Sequence, residues 1–300
     1  MRKTLRLIWI IITAPFRFVI WLFRKIVKGF RNFFHDAYLF FTEEEEDTPL
    51  PDAFAKTIQN PQGILYHVNI LRKHLFRAAV AVVITTAISF TFAQKTLLFL
   101  SAPLGANGLD RLRAIDVTEN IGTVMRVSLL IGFALAFPYV IFELWMFIAP
   151  GVHRRSRLMG FFSIPIATLF FVGGMAFAYY IMLPVALNFL LGDFLGLKTE
   201  ARPASYFSFV TSVMFWIGIS FEFPLVIYVL ASVGIVRGES LAQQWRFAIV
   251  IISIVAAAIT PTIDPINMGL VMGPMILLYF LSIGLAYIAQ RGRAKREEAT

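Results

Sequence analysis

Residues 207–233 read FSFVTSVMFWIGISFEFPLVIYVLASV, an apolar stretch with a single charged side chain, Glu222. A helix needs about 20 apolar residues to cross a hydrocarbon layer about 30 Å thick, so the stretch predicts a transmembrane helix. Glu222 lies about 22 Å along that helix, close to the middle of the bilayer. A charge there costs about 2.5–3.5 kcal/mol on insertion scales, which makes Glu222 a candidate functional residue.

The rest of the chain is also rich in apolar residues and poor in charged ones. Of the 300 residues, 58% are hydrophobic and 15% are charged, whereas about 25% of a soluble domain is charged. The apolar residues fall into blocks that predict an all-α membrane protein with six transmembrane helices. The six predicted spans are Leu75–Phe92, Val127–Ala149, Met159–Leu183, Phe207–Val233, Phe247–Thr260 and Ile266–Ile288.

The fifth predicted span is short. Its 14 residues reach about 21 Å as a helix, less than the thickness of the hydrocarbon layer. Only residues 261–265, with a proline at each end, separate it from the sixth span. We therefore expect the last two helices to form a tight hairpin.

The distribution of basic residues predicts the orientation. Six spans place both termini on the same side of the membrane, and 21 of the 27 Lys and Arg residues lie on that side. By the positive-inside rule, both termini are cytoplasmic. This distribution also accounts for the net charge of +9, so the charge does not indicate a nucleic-acid partner.

Residues 1–41 predict a basic amphipathic helix at the membrane surface. Its polar residues recur on one helix face among aromatic and aliphatic residues; they are Arg17, Arg24, Lys28, Arg31 and His35. A secretory signal peptide is the alternative for residues 1–20. An acidic, proline-containing linker is expected over 42–62, the six-span domain over 63–290 and a basic cytoplasmic tail over 291–300.

Several classes of chemistry have no support in the sequence. The chain contains no cysteine, and its four histidines show no metal-ligand spacing, so no cofactor or metal site is expected. No pair of catalytic side chains falls at membrane depth, so the chain is not expected to be an enzyme.

Prolines and small residues interrupt the apolar blocks. Pro138, Pro165, Pro224 and Pro274 lie within predicted spans, where proline removes a backbone hydrogen bond and tends to kink the helix. The run VGGMAFA over residues 172–178 would allow another helix to approach closely.

Motifs along the chain carry a family resemblance. They are ILYHVNILRKHLFRA before the first span, SAPL after it, ELWMFIAPGVHRRSR closing the second, FFVGGMAFAYYIMLPVALNFL through the third, SYFSFV and SFEFP in the fourth, and AITPTIDPINM before the sixth. From about His67 to Tyr287, the chain resembles the TatC subunit of the twin-arginine protein translocase. Residues 1–50 lie outside the resemblance.

The resemblance implies a function. TatC-like proteins form a concave cup of kinked helices in the cytoplasmic (inner) membrane and bind twin-arginine signal peptides on folded cargo. They recruit single-span partners of the TatA and TatB type, and the proton-motive force drives transport. It also implies that the chain is a homo-oligomer within a translocase complex.

Six residues match functional positions of the family. Glu222 matches its intramembrane glutamate, and Phe147 and Pro150 match the loop that contacts the signal peptide. The remaining matches are Arg72 before the first span, Pro103 in the SAPL loop and Asp264 in the last periplasmic turn. Asp264 has a second interpretation, as an aspartate that caps a turn between two prolines.

Two departures alter the expected recognition of the signal. Ile70 and Ser156 stand where the family has the two glutamates that receive the arginine pair. Guanidinium groups form strong bidentate bonds with carboxylates, which isoleucine and serine cannot supply. The resemblance therefore implies a divergent member with weakened or altered signal specificity. Asn69, which accepts hydrogen bonds, and Glu143 are the candidate replacements.

Glu143 and Glu222 each have two interpretations. Glu143 is either a displaced partner for a cationic signal or a structural acid paired with a neighbouring helix. Glu222 is either a polar contact for a partner helix or a neutral side chain that hydrogen-bonds across helices. A small-solute secondary transporter is the alternative function, since it would also use an intramembrane acid. The sequence shows no inverted repeat to support it.

Overall fold

The computed structural model describes residues 61–105, 108–116, 118–148, 154–191, 201–260 and 265–297, with the backbone alone for 61–67, 154–162, 191 and 293–297. The chain divides into two units at Thr48–Pro49, and the description concerns the second. The predicted surface helix over 1–41, the linker up to residue 60, Pro150 and Asp264 lie outside the described residues.

The described residues are almost entirely helical. The helices are α1 (Pro61–Phe90), α2 (Ala93–Ser101), α3 (Glu119–Ile148), α4 (Arg154–Phe177), α5 (Leu183–Leu191), α6 (Pro203–Val233), α7 (Gly238–Gln243), α8 (Trp245–Ile259) and α9 (Pro265–Glu297). A π-helical segment, Ala178–Met182, joins α4 to α5. Short 3₁₀ turns follow α2, and an isolated parallel bridge links Leu112 to Ala201.

The prediction of an all-α protein with six membrane helices is confirmed. Five of the described segments are long and apolar enough to cross a membrane: Val68–Phe90, Glu119–Ile148, Ser163–Leu190, Pro203–Val233 and Pro265–Gly292. The remaining membrane helix is α8, the fifth along the chain. Its 15 residues extend about 22 Å, as expected for the short fifth span. The chain is thus a multi-pass membrane protein.

The ends of several spans differ from the prediction. The first helix begins at Pro61 rather than near Leu75, and the second begins at Glu119 rather than near Val127. Hydropathy marks only the part of a helix that lies in lipid, whereas the helix itself continues into polar sequence. The third span runs on through the π segment and α5 to Leu190, past Pro184, which has no N–H to donate to the helix.

The four prolines lie inside continuous helices, at Pro138 in α3, Pro165 in α4, Pro224 in α6 and Pro274 in α9. Membrane helices tolerate proline where neighbouring helices, side chains or water satisfy the freed carbonyl. Packing against neighbours therefore keeps these spans helical despite the lost backbone bonds.

Helix α6 packs against α3, α4 and α9, and its inner face forms much of the core. Gly174 of α4 allows a close approach, because a Cβ atom there would lie 2.9 Å from the Cα of Gly218 on α6. The sequence expectation of close packing at VGGMAFA is thus confirmed at Gly174. Beside this contact, the rings of Phe137 and Phe171 stack with centroids 4.0 Å apart.

Helix α1 packs mainly against α3, and the two run antiparallel. The Thr85 hydroxyl donates to the Gly132 carbonyl at 2.6 Å, and a Cβ atom on Gly132 would collide with Thr86. Gly132 therefore sets how closely the helices approach. This contact fixes the register that brings the N-terminal half of α1 against the C-terminal end of α3.

Candidate functional site

A buried carboxylate joins α1 and α3. Nδ1 of His74, on α1, lies 2.5 Å from Oε2 of Glu143, and the Tyr139 hydroxyl donates to Oε1 of the same carboxylate at 2.5 Å. Glu143 is only 2% exposed. Both of its oxygens are therefore hydrogen-bonded within the protein, as a buried carboxylate requires.

The residues matched to the signal-peptide site lie around this carboxylate. The ring of Phe147, one turn beyond Glu143, has its centroid 6.5 Å from that of His74. Asn69 and Arg72 are exposed on α1. The structure thus brings Phe147 into contact with the end of α1, whereas Pro150 lies outside the described residues.

The two positions that lack the family's glutamates lie on different helices. Ile70 is one turn before His74, on the same face of α1. Ser156 is in the first turn of α4, where only the backbone is described. Glu143 lies about 6 Å deeper along the helices than Ile70, because four residues separate Ile70 from His74.

Glu222 is a second buried carboxylate, and its surroundings are different. It is 8% exposed, on the face of α6 that contains Gly218, against Phe171 of α4. Within the described part of the chain, its Oε1 is buried without a hydrogen-bond partner. Burying such an oxygen unpaired costs about 1–3 kcal/mol. Glu222 therefore does not point into the lipid, and a hydrogen-bond acceptor is left unused.

Pro224, two residues after Glu222, frees a backbone carbonyl close to this carboxylate. Pro224 has no N–H to donate to the carbonyl of Ser220, one turn before it. The middle of α6 therefore combines an unpaired carboxylate oxygen with a carbonyl that lacks its usual helical donor. The neighbouring Phe223 is 41% exposed, so this stretch of α6 lies next to the surface of the described helices.

Pro103 lies at the opposite end of the helices from Glu143, which we call the α2 end. It belongs to the 3₁₀ turn Ala102–Leu104 after α2 and is half-buried. Two tyrosine hydroxyls hold the last turn of α2: Tyr179 donates to the Phe99 carbonyl at 2.6 Å and Tyr206 to the Leu100 carbonyl at 2.8 Å. Pro103 is therefore carried on an anchored helix. The structure does not describe Asp264.

A third buried acid, Glu119, also lies at the α2 end. Its Oε1 accepts the backbone N–H of Ala204 at 2.9 Å, in the first turn of α6. Its Oε2 accepts the N–H of Ile115 at 3.2 Å and a contact from Arg202 at 3.3 Å. A carboxylate is stabilising at a helix N-terminus, where backbone N–H groups are unpaired. Glu119 thus caps α6 from a neighbouring helix.

Sequence reasoning did not identify several of these residues. No sequence pattern points to His74, because its partner lies 69 residues away, and Tyr139 gave no signal. Glu119 accepts backbone N–H groups just before its own helix, but its bond to Ala204 crosses 85 residues and left no signal in the sequence. The available hint was His74 itself, which lies four residues after Ile70, the position where the family has a glutamate.

The described residues contain no group of three or more His, Cys, Asp or Glu side chains arranged to hold a metal ion. What they do contain is three buried glutamates: Glu119 and Glu143, which are hydrogen-bonded at opposite ends of the helices, and Glu222 in the middle, whose Oε1 has no partner among the described residues. Such an arrangement can recognise cationic or hydrogen-bonding groups on other chains.

Comparisons with known proteins identify the family of the chain. The family described as Sec-independent protein translocase protein (TatC) matches residues 66–274. The Sec-independent protein translocase protein TatC of Koribacter versatilis is 33% identical over 79% of this chain and 90% of its own length. That of Aquifex aeolicus is 33% identical over 78% and 98%. A crystal structure of a twin-arginine translocase receptor, TatC, superposes with a TM-score of 0.68 at 32% identity, covering 74% of this chain and 99% of its own.

Proposed function

Because the chain belongs to the TatC family of Sec-independent protein translocases, we propose that it is a receptor subunit for signal peptides of folded cargo. In this role it recruits single-span partners of the TatA and TatB type, and the proton-motive force drives export. Solved relatives named as twin-arginine translocase receptors support this assignment. The relatives give no support to the alternative of a small-solute transporter.

The signal peptide binds at the end of the helices where α1 meets α3. Asn69 and Arg72 supply exposed polar groups, Phe147 supplies an aromatic surface, and Pro150 follows it in sequence. With Ile70 and Ser156 replacing the family's acids, Glu143 is the carboxylate of the described residues closest to this surface. Arginine recognition therefore depends on a group about one helical turn deeper than the position of Ile70.

A peptide-binding experiment tests this site. The full chain, reconstituted in nanodiscs, is titrated with labelled signal peptides that differ only in an Arg-Arg, Lys-Lys or Gln-Gln pair. The proposal expects binding that prefers Arg-Arg, with a photo-crosslinker at Phe147 capturing the peptide. Equal binding of all three peptides would contradict recognition of the pair. Arginine-strict capture that survives Glu143→Gln would instead contradict the role of Glu143.

Glu222 is proposed to bind a polar side chain in the membrane helix of a TatA- or TatB-type partner. The observation that carries this proposal is the buried Oε1 without a hydrogen-bond partner among the described residues. A donor from another chain would recover the desolvation cost that this oxygen bears alone. Hydrogen bonds between membrane helices typically contribute about 0.6 kcal/mol and up to about 2, which suits reversible association.

Cross-linking in native membranes tests the docking site. Glu222→Ala is expected to reduce cross-linking between α6 and the partner helix severalfold, while the chain still inserts. Ser128→Ala is a matched control, since it removes another buried oxygen without a partner in the described residues, the hydroxyl of Ser128 on α3. Unchanged cross-linking in Glu222→Ala, or an equal loss in Ser128→Ala, would reject the site.

The proposal also assigns the sides of the membrane. Both termini and the Glu143 end are cytoplasmic in the inner membrane, and Pro103 and Asp264 are on the opposite face, where they meet cargo or partner segments. Residues 1–41 anchor or dock the chain at the cytoplasmic surface. Labelling of single cysteines introduced at residues 105 and 292 from each side tests the orientation. Deletion of residues 1–47 without loss of transport would contradict the N-terminal role.

A further inference from the structure

The His74–Glu143 contact lies where the proposed function needs a free carboxylate. Oε2 of Glu143 is bonded to His74, and Oε1 is bonded to Tyr139. A guanidinium from a signal peptide would bind such a carboxylate through two parallel hydrogen bonds. In this structure, the chain's own side chains occupy both acceptor oxygens.

We propose that His74 is an internal competitor for the signal peptide: it occupies Glu143 in the unbound receptor, and an arginine of the signal displaces it. This inference rests on the proposed signal-peptide function and adds the residue that sets its affinity and specificity. Because His74 must first be displaced, only a cationic group that binds the Glu143 carboxylate more tightly than His74 does can take its place.

The geometry favours His74, rather than Tyr139, as the group that leaves. The side chain of His74 is 16% exposed, against 3% for that of Glu143, so His74 lies on the outer side of the pair. Tyr139 is four residues from Glu143 on the same helix, and its bond can persist when α1 moves. His74 belongs to the helix that also presents Asn69 and Arg72.

The exit of His74 would also change the aromatic surface. Its ring lies 6.5 Å from that of Phe147, the residue matched to signal contact. When His74 leaves Glu143, Phe147 loses this neighbour and can pack against the apolar segment that follows the arginines of a signal peptide. The displacement of His74 thus couples recognition of the arginine to recognition of the apolar segment of the signal peptide.

Competition predicts an order of affinities opposite to that of a structural clamp. His74→Ala removes the competitor, and the Arg-Arg peptide should bind about tenfold more tightly, since a charge-assisted hydrogen bond corresponds to roughly that factor. His74→Gln, which keeps a side chain that can donate to Glu143, should lie between His74→Ala and the wild type. His74→Arg supplies a permanent guanidinium within the chain and should bind the peptide about tenfold more weakly. A clamp that merely aligns α1 and α3 would make His74→Ala the weakest binder.

The experiment measures the affinity of the Arg-Arg and Gln-Gln peptides for the full-length receptor in nanodiscs, with thermal stability recorded for every variant. In the Glu143→Gln background, His74→Ala should give no gain, because no carboxylate is left to release. If His74→Ala does not fold, His74→Arg and His74→Gln still decide, since both keep a donor to Glu143. His74→Arg binding as tightly as the wild type, or more tightly, overturns the proposal.

Failure of this inference is distinguishable from failure of the proposed function. If the wild-type receptor binds Arg-Arg and Gln-Gln peptides equally, the proposed recognition of the arginine pair is contradicted. If the wild type prefers Arg-Arg, but His74→Ala binds no more tightly, only the internal competitor is contradicted.

Discussion

Glu143 and Glu222 are both buried glutamates of membrane helices, but they differ in what surrounds them. Glu143 has a donor on each oxygen, whereas Oε1 of Glu222 has none within the described residues. We expect the first to contribute to the cohesion of α1 and α3, and the unpaired oxygen of the second to lower the stability of the isolated chain. The difference indicates that burial alone does not identify a docking residue, because two buried glutamates of the same chain can have opposite hydrogen bonding.

The largest effect is expected from removing the carboxylate that has partners. Glu143→Ala leaves the His74 and Tyr139 donors unpaired at the α1–α3 contact, and each buried donor left without a partner costs about 1–3 kcal/mol. Thermal unfolding in detergent, followed by circular dichroism, should show a clear fall in Tm. Glu143→Gln, which keeps a hydrogen-bonding side chain, is the control and should lose less. If Glu143→Ala were as stable as the wild type, the hydrogen bonds of Glu143 would not stabilise the chain, and the contrast with Glu222 would not hold.

The next effect concerns the packing that covers Glu222. Gly174→Leu introduces a side chain where Gly218 and Phe221 of α6 leave no space, and overpacking of this kind costs about 1–3 kcal/mol. It should also separate α4 from α6 and raise the reactivity of a cysteine at position 222. Gly173→Leu is the matched control, since a Cβ atom there meets nothing within 4 Å. Equal loss in both variants would show that Gly174 has no special role.

Replacing Glu222 should have the opposite sign from replacing Glu143. Glu222→Leu removes an oxygen that is buried without a partner and should raise stability by about 1–2 kcal/mol, the desolvation cost that it no longer bears. The same variant should lose cross-linking to the single-span partner. A fall in stability in Glu222→Leu would mean that the side chain already contributes hydrogen bonds within its own subunit.

The smallest effect is expected from a variant that leaves one oxygen of Glu143 without a hydrogen-bond donor, as in Glu222. Tyr139→Phe removes the donor to Oε1 and leaves His74 in place, so we expect a loss of about 1 kcal/mol, typical of a single hydrogen bond. Tm and hydrogen exchange along α3 measure it. Tyr228→Phe, on an exposed part of α6, is the control and should have no effect. A loss as large as that of Glu143→Ala would mean that Tyr139, not His74, holds the carboxylate.

The sequence predicted the membrane architecture well because hydropathy and helix length depend on local composition. Six helices, the short fifth span and the close approach at Gly174 all follow from neighbouring residues. The helix ends were less accurate at Pro61 and Glu119, because hydropathy gives no signal where a helix leaves the lipid and enters polar sequence.

The candidate site was only partly predictable. Motifs drew attention to Glu222 and Phe147, and Glu143 was considered with two roles. What the sequence could not supply was the register between helices far apart in the chain, which decides that His74, rather than Asn69 or Arg72, contacts Glu143. The cross-helix bond from Ala204 to Glu119 has the same origin.

The π segment Ala178–Met182 has a consequence for how the span tolerates changes in length. A π turn accommodates one more residue than an α-helical turn, so this segment holds one residue more than an ordinary helix would. Deleting one residue here should restore an ordinary α-helix and keep the faces of α4 and α5 in phase. Deletion elsewhere in the span would rotate everything downstream by about 100°. Gaps of one residue among relatives are therefore expected to fall at this place.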